Sequence, residues 1–364
     1  GTPAEPQGLS SIHEWIDVAT GDSCTTGEDC GLDDGPAARI NHIALSLPVS
    51  LGCPEGGAAL VGLGRDESGP LDDLWLYVEE NRAKDAAGFH RVSGLPSLAR
   101  FDVAAAVLPG CRVVLAGGQL GSGAVTDVVQ ILAFTEEGSL QLVEESNLPL
   151  PLAGAAVIPL ENQLGEVVFL GGYDDDGPVS SASSFYVNAG LVETCALSDG
   201  SCNGLVQSLR CPSRFPQGGI LSPGATAAAI VIGSDDVNCA SVAELLLASE
   251  TAPYLSLTRL VAAPSTTRLS GFSVTYVPGG ALVVGGTGET GVVLPLAEVV
   301  QPAETNDEPT AVRFRAVGAL AHARSHHAVI SFPFATVVAG GFDGSEPSAT
   351  LELFVSSGTT ESTP

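Results

Sequence analysis

The feature that most constrains this chain is a recurrent apolar run that ends in glycine. It reads Ala59-Leu-Val-Gly-Leu-Gly64, Arg112-Val-Val-Leu-Ala-Gly-Gly118, Glu166-Val-Val-Phe-Leu-Gly-Gly172, Ala229-Ile-Val-Ile-Gly233, Ala281-Leu-Val-Val-Gly-Gly286 and Ala335-Thr-Val-Val-Ala-Gly-Gly341. Successive final glycines stand 54, 54, 61, 53 and 55 residues apart. Six such units nearly fill 364 residues. A fixed period of roughly 40 to 50 residues with four short strands per unit is the pattern of propeller blades. The run is apolar at every position, as in a strand covered on both faces. Its glycines permit positive φ and close backbone approach where the chain leaves the interior. Gly and Pro, 44 and 24 residues, punctuate the chain too often for ordinary helices, so the expected class is all-β.

Within each unit the strands carry further marks. Blade one reads Arg39-Ile-Asn-His42, then Gly62-Leu-Gly64, then Asp72-Asp-Leu-Trp75-Leu-Tyr77. Blade six reads Arg324-Ser-His-His327, then Gly340-Gly341, then Leu351-Glu-Leu-Phe354. An arginine and histidine on the first strand, Gly-Gly ending the second and an aromatic on the third resemble the Kelch repeat, of the kind found in secreted bacterial proteins. Blade four departs most, with a lone Gly233 and no aromatic in Ala243-Glu-Leu-Leu-Leu247, and blade three lacks the arginine. The resemblance implies a six-bladed Kelch-like β-propeller of four-stranded antiparallel blades, in one domain over 1–364. The blades are expected at 39–93, 98–146, 152–209, 217–260, 269–318 and 324–355, before a flexible tail at 356–364. Blade six then lacks an outer strand. Ile12-His-Glu-Trp-Ile-Asp-Val18 alternates apolar and polar residues, and segment 11–18 is expected to close that blade, since an open edge invites aggregation.

Acidic residues number 42 against 14 basic, a net charge of −28. No basic stripe is available for phosphate contacts, which argues against nucleic acid as a partner. No apolar run approaches the roughly 18 residues of a membrane span. Eight cysteines, no methionine and no apolar leader before Gly1 fit a processed, exported chain, extracellular or at the cell surface, or periplasmic. None falls in Cys-x-x-Cys, so zinc and thioredoxin-like chemistry lose their spacing. Counting leaves on the order of a hundred pairings open. Placing the cysteines on the blades suggests Cys24–Cys30, Cys53–Cys111, Cys195–Cys202 and Cys211–Cys239.

Several groups are candidate sites. The loops after the glycines carry Asp66, Glu67, Asp174, Asp175, Asp176, Asp235, Asp236, Glu289 and Asp343. Gathered on one rim, such oxygens suit calcium, although none lies in an EF-hand or nonapeptide pattern and acidic turns are ordinarily solvated. His42 and His327 share a repeat position three residues after an arginine, where a mixed His and carboxylate metal site competes with plain core packing. Arg39, Arg100, Arg268 and Arg324 open first strands and read as blade-joining ion pairs or hydrogen bonds. The tyrosines, at 77, 173, 186, 254 and 276, do not pair with histidines as a galactose-oxidase-like copper site requires. Sialidase Asp-boxes and Gly-x-Ser-x-Gly are absent. The expected role is a non-catalytic binding or scaffolding module that engages a protein partner or an extracellular assembly. Its loops and the insertions Ser23–Pro36, Val192–Pro216 and Ala303–Thr310 would carry recognition. The alternative is an extracellular glycan-acting hydrolase, lyase or oxidase with its site at the central channel mouth.

Overall fold

The computed structural model describes residues 14–17, 36–53, 58–78, 88–135, 138–160, 166–179, 182–188, 191–196, 209, 213–222, 228–233, 243–248, 255–260, 270–302, 312–332, 335–348 and 350–355. Among them the only helical element is a 3-10 turn at Val49–Leu51; the rest is strand, turn and loop. The strands form six four-stranded antiparallel sheets, with small hairpins at Arg65–Asp66/Gly69–Pro70 and Tyr173–Asp174/Gly177–Pro178.

Five sheets are simple meanders in chain order. Sheet one contains Ile43–Leu47, Ala58–Gly62, Leu74–Val78 and Gly88–Arg91. Sheet two contains Ala104–Leu108, Arg112–Ala116, Val128–Phe134 and Leu140–Asn147. Sheet three contains Ala156–Leu160, Glu166–Leu170, Ala182–Asn188 and Leu191–Ala196. Sheet four contains Gln217–Ser222, Ala228–Ile232, Ala243–Ala248 and Leu255–Leu260. Sheet five contains Ser270–Val277, Gly280–Thr287, Leu296–Pro302 and Val312–Ala319. Sheet six takes Ala328–Ser331, Ala335–Ala339 and Leu351–Val355 from the end of the chain and its outer strand, Glu14–Asp17, from the beginning. There Trp15 is in register with Phe354 and Ile16 with Leu353.

The apolar core lies between sheets. Leu60 and Leu74 of sheet one pack with Val113, Leu115 and Leu132 of sheet two. The other face of sheet two, Val114 and Ile131, packs with Val167 and Phe169 of sheet three. Sheets four and five meet through Ile230, Phe272 and Val283, and sheets five and six through Leu282, Val299, Val338 and Phe354. Ala59 and Val61 of sheet one pack with Ile330 of sheet six. A second strand thus has neighbours on both sides: Val113, Val114, Leu115 and Ala116 have no exposed surface. Each fully buried Val or Leu side chain contributes about 1.5 to 3 kcal/mol, so the uninterrupted apolar run is the main source of cohesion between sheets.

Backbone hydrogen bonds repeat at the sheet junctions. The N–H of the last glycine in a run donates to a carbonyl just before the next sheet: Gly64 to Arg100, Gly118 to Leu152, Gly172 to Ser213, Gly286 to Arg324, and Gly341 to Arg39, at 2.8 to 3.2 Å. A second series joins the residues entering the first strands. His326 N–H donates to Gly271 O, Asn41 to His326, Asp102 to Asn41 and Gly154 to Asp102, at 2.7 to 3.3 Å. All five have left-handed backbone, with φ between 54° and 65°. Glycine, Asn and Asp tolerate that region best, which accounts for four of the five residue choices.

The glycine pair itself is demanded by close approach. At Gly117, a Cβ would stand 1.8 Å from the carbonyl oxygen of Leu152 in the next sheet. In sheet one the equivalent left-handed position is held by the buried Leu63, φ 53°, rather than by Gly62.

The recurrent arginines correct one expectation. Their side chains brace their own sheet instead of joining two. Arg39 forms a two-pronged pair with Asp73 at 2.7 and 2.9 Å and donates to Leu63 O. Arg100 reaches Gln130 at 2.8 Å and the carbonyls of Leu115 and Val128. Arg324 meets Glu352, Thr350 and the Gly340 carbonyl. The reason is geometric: the guanidinium satisfies carbonyls at the end of its own second strand, while its backbone carbonyl accepts from the preceding sheet. Arg268 lies outside the described residues.

Cys53 and Cys111 form a disulfide between sheets one and two. Cys24, Cys30, Cys202, Cys211 and Cys239 lie outside the described residues, as does the side chain of Cys195.

Candidate functional site

The first strands of the six sheets line one cavity of about 240 Å³. Asn41, Asp102, Gly154, Phe215, Gly271 and His326 stand at its wall, one from the entry of each sheet. Because glycine occupies the sites in sheets three and five, the side chains concentrate on the other four.

Asp102 is the centre of this rim. Tyr173, buried on the hairpin that follows the sheet-three glycines, donates its hydroxyl to Asp102 Oδ2 at 2.6 Å and lies 3.3 Å from Gln119 Oε1. Gln119 in turn donates to Gly123 O at 2.7 Å. Burial pushes the Asp102 carboxyl up to about 6, although hydrogen bonds from Tyr173 and Asn41 and the charges of Arg65 and Arg214 pull the other way. Burial and the neighbouring Asp102 push the Tyr173 phenol above its ordinary value. The carboxyl can therefore change protonation near neutral pH, whereas the phenol remains a donor.

Two exposed guanidiniums flank this pair. Arg65 lies over the Phe101 ring, 4.9 Å from its centroid, and Arg214 over Tyr173 at 4.5 Å and Phe215 at 5.8 Å. Phe215 meets Tyr173 edge-on at 5.4 Å and His326 at 6.2 Å. Burial and Arg65 lower the pKa of His326. The rim thus combines two fixed cations, an aromatic wall and a carboxyl that a proton can neutralise.

His42 and His327 line the cavity wall beside the rim. Burial, with Arg39 adding to it, pushes His42 down to about 3, against the opposing hydrogen bond with the Ala339 backbone. Burial first, then Arg324, His42 and His326, hold His327 well below its ordinary value. Both ring nitrogens of His327 lack hydrogen-bond partners. Its Cα and Cβ pack at Gly341 and its ring at Gly285. The two histidines fill the seams between sheets as neutral rings.

The acidic turns serve local backbone. Asp66 Oδ1 accepts from Ser68 and Gly69, Asp174 Oδ1 from Asp176 and Gly177, and Asp343 Oδ1 from Ser345 and Glu346. Turn hydrogen bonds lower the Asp343 pKa to about 2. Asp175 reaches across to the Val125 N–H at 3.0 Å, tying a sheet-three turn to sheet two. Asp235 and Asp236 lie outside the described residues. Among the described residues no three His, Cys, Asp or Glu side chains come together in a way that could hold a metal ion.

Sequence reasoning did not single out Asn41, Asp102, Arg65, Arg214 or the Asp102–Tyr173 pair. A signal existed: Asn41, Asp102 and His326 each stand two residues after a recurrent arginine. Asp102 and Tyr173, however, come from different units and meet only through folding.

No protein-family model matches this chain, and no curated protein matches it. Solved structures do: 348 chains match. One of them, the structure of YjhT, superposes with a TM-score of 0.59 at 12% identity, covering 89% of this chain and 97% of that one. That likeness concerns fold alone and is consistent with a β-propeller-like arrangement of the all-β chain. No helix among the described residues is long and apolar enough to cross a membrane.

Proposed function

We propose that this chain is a six-bladed Kelch-like β-propeller, secreted or surface-exposed, and that it works as a binding or scaffolding module. The six sheets are its blades and the amino-terminal strand completes the sixth. The observation that carries the functional reading is the rim: loops from different sheets converge on one cavity, held by a relay of backbone hydrogen bonds. Rigid elements presenting variable loops are the common design of recognition surfaces. The Cys53–Cys111 bond supports an oxidising compartment.

The test is affinity capture from the native extracellular fraction under non-reducing conditions, with the parent chain and an Arg65→Gln/Arg214→Gln variant as baits. A partner retained by the parent and lost by the variant is expected, with an interface above roughly 1,000 Å². Capture that ignores the rim variant would move recognition elsewhere.

A glycan-acting enzyme at the channel mouth is the second reading, favoured by one observation: a buried carboxyl, Asp102, accepts a hydrogen bond from the Tyr173 phenol at 2.6 Å, and burial pushes that carboxyl up toward the range suited to proton transfer at neutral pH. Turnover of an oligosaccharide panel that Asp102→Asn abolishes would put this reading first.

A further inference from the structure

We infer that the rim binds a carboxylate, gripped by Arg65 and Arg214 above the Asp102–Tyr173 pair. The inference rests on the rim being the recognition surface and names what it recognises.

The argument starts from what the described arginines do. Arg39, Arg100 and Arg324 are buried and spend their donors on carboxylate, amide and carbonyl oxygens. Arg65 and Arg214 differ. They are exposed, lie over aromatic rings, and both act on Asp102 and Tyr173. In a chain of net charge −28 with 14 basic residues, two exposed guanidiniums beside one buried carboxyl form a local exception to the acidic surface. A guanidinium that lies over an aromatic ring keeps its edge N–H donors available, and such donors suit planar oxyanions.

Carboxylate is favoured over phosphate by charge balance. Two guanidinium charges set against the Asp102 carboxylate leave one net positive charge, which a monoanion neutralises and a dianion exceeds. Phe215, at the cavity wall, offers an apolar face for whatever carries the charge.

Titration calorimetry of the intact, oxidised chain tests this. One arm uses free acids, benzoate and lactate, against their neutral amides. A second uses acetyl-Gly-Asp-Gly-amide against its Asn counterpart, distinguishing a small-molecule source from a protein side chain. Binding of the acid but not its neutral partner in either arm is the expected result, with about a tenfold loss in Arg65→Gln and in Arg214→Gln. Arg313→Gln, on the outer strand of sheet five, changes nothing. The groups facing Asp102 are Tyr173, Asn41, Arg65 and Arg214, with His326 across the rim. Affinity therefore rises from pH 8 to pH 5 as Asp102 takes up a proton, and Asp102→Asn, which suits the left-handed backbone there, largely removes that rise. Equal affinity for acid and amide in both arms, tighter binding of inorganic phosphate, or indifference to both arginine variants overturns the inference. A partner captured through the rim under those outcomes would leave the recognition reading standing, whereas carboxylate binding without any captured partner would separate the two in the other direction.

Discussion

The imidazole of His42 in sheet one lies against Gly340 in sheet six, so closely that a Cβ added at 340 would stand 2.8 Å from His42 Cε1. Gly340 also has φ 63°. One seam between the two ends of the repeat series therefore depends on a missing side chain. Gly340→Ala is expected to cost about 1 to 2 kcal/mol for the left-handed backbone and a further 1 to 3 for overpacking. Urea unfolding of Gly340→Ala, His42→Ala and the double variant measures the coupling. Strict additivity would show that the ring and the glycine do not restrain each other.

Arg324 and Glu352 form a buried pair, with 1% and 0% of their side chains exposed. Glu352 additionally accepts from the Ala321 and His322 N–H groups. Removing one partner leaves the other charge without compensation, so Arg324→Met should cost roughly 3 to 5 kcal/mol. The same substitution at exposed Arg313 should change the unfolding midpoint little. A small loss at Arg324 would mean that water reaches Glu352.

Acid should destabilise the fold from about pH 6.5 downward. His42, at about 3 when folded, and His327, held well below its ordinary value, remain neutral in the native protein and take up protons on unfolding. In that window the unfolded chain binds more protons, and each histidine removes about 1.4 kcal/mol per pH unit as pH falls. Asp102 opposes this between about 6 and its ordinary 3.8, because its folded pKa is raised and the native state binds the extra proton. His326, also lowered, adds to the losses, and the histidines together outweigh the one gain. Midpoints measured from pH 8 to pH 4 check it, and His42→Gln should flatten the slope.

The Cys53–Cys111 bond closes a loop with a sequence separation of 58. The loop-entropy relation gives about 4 kcal/mol for a bond of that span. Reduction without alkylation should lower the melting temperature. The paired Cys53→Ser/Cys111→Ser variant, melted under oxidising conditions, should show the share of that fall due to this bond.

The apolar, glycine-ended runs and the all-β class could be read from the chain because a strand with two buried faces must be apolar throughout, and because only glycine survives a 1.8 Å approach such as that at Gly117. The bracing of the arginines was less visible. Glu244, Glu298 and Glu352 recur 54 residues apart, are all buried, and occupy matching third-strand positions opposite Val231, Val283 and Val338. That spacing carried the information, but carboxylates in an acidic sequence look like surface. Leu63 hid another equivalence, since a leucine in left-handed backbone disguises the glycine position. The rim was hidden more deeply: Asp102 and Tyr173 are 71 residues apart, and no local pattern brings them together.

The outer strand of sheet six, Glu14–Asp17, is the earliest of the described strands in the chain, and its partner, Leu351–Val355, is the latest. On the ribosome it must therefore wait while every other sheet is synthesised. During that interval sheet six has no native edge partner, and early docking of this segment onto another exposed edge would have to be undone. The sixth sheet can acquire its full complement of strands only once the chain has been synthesised through Val355.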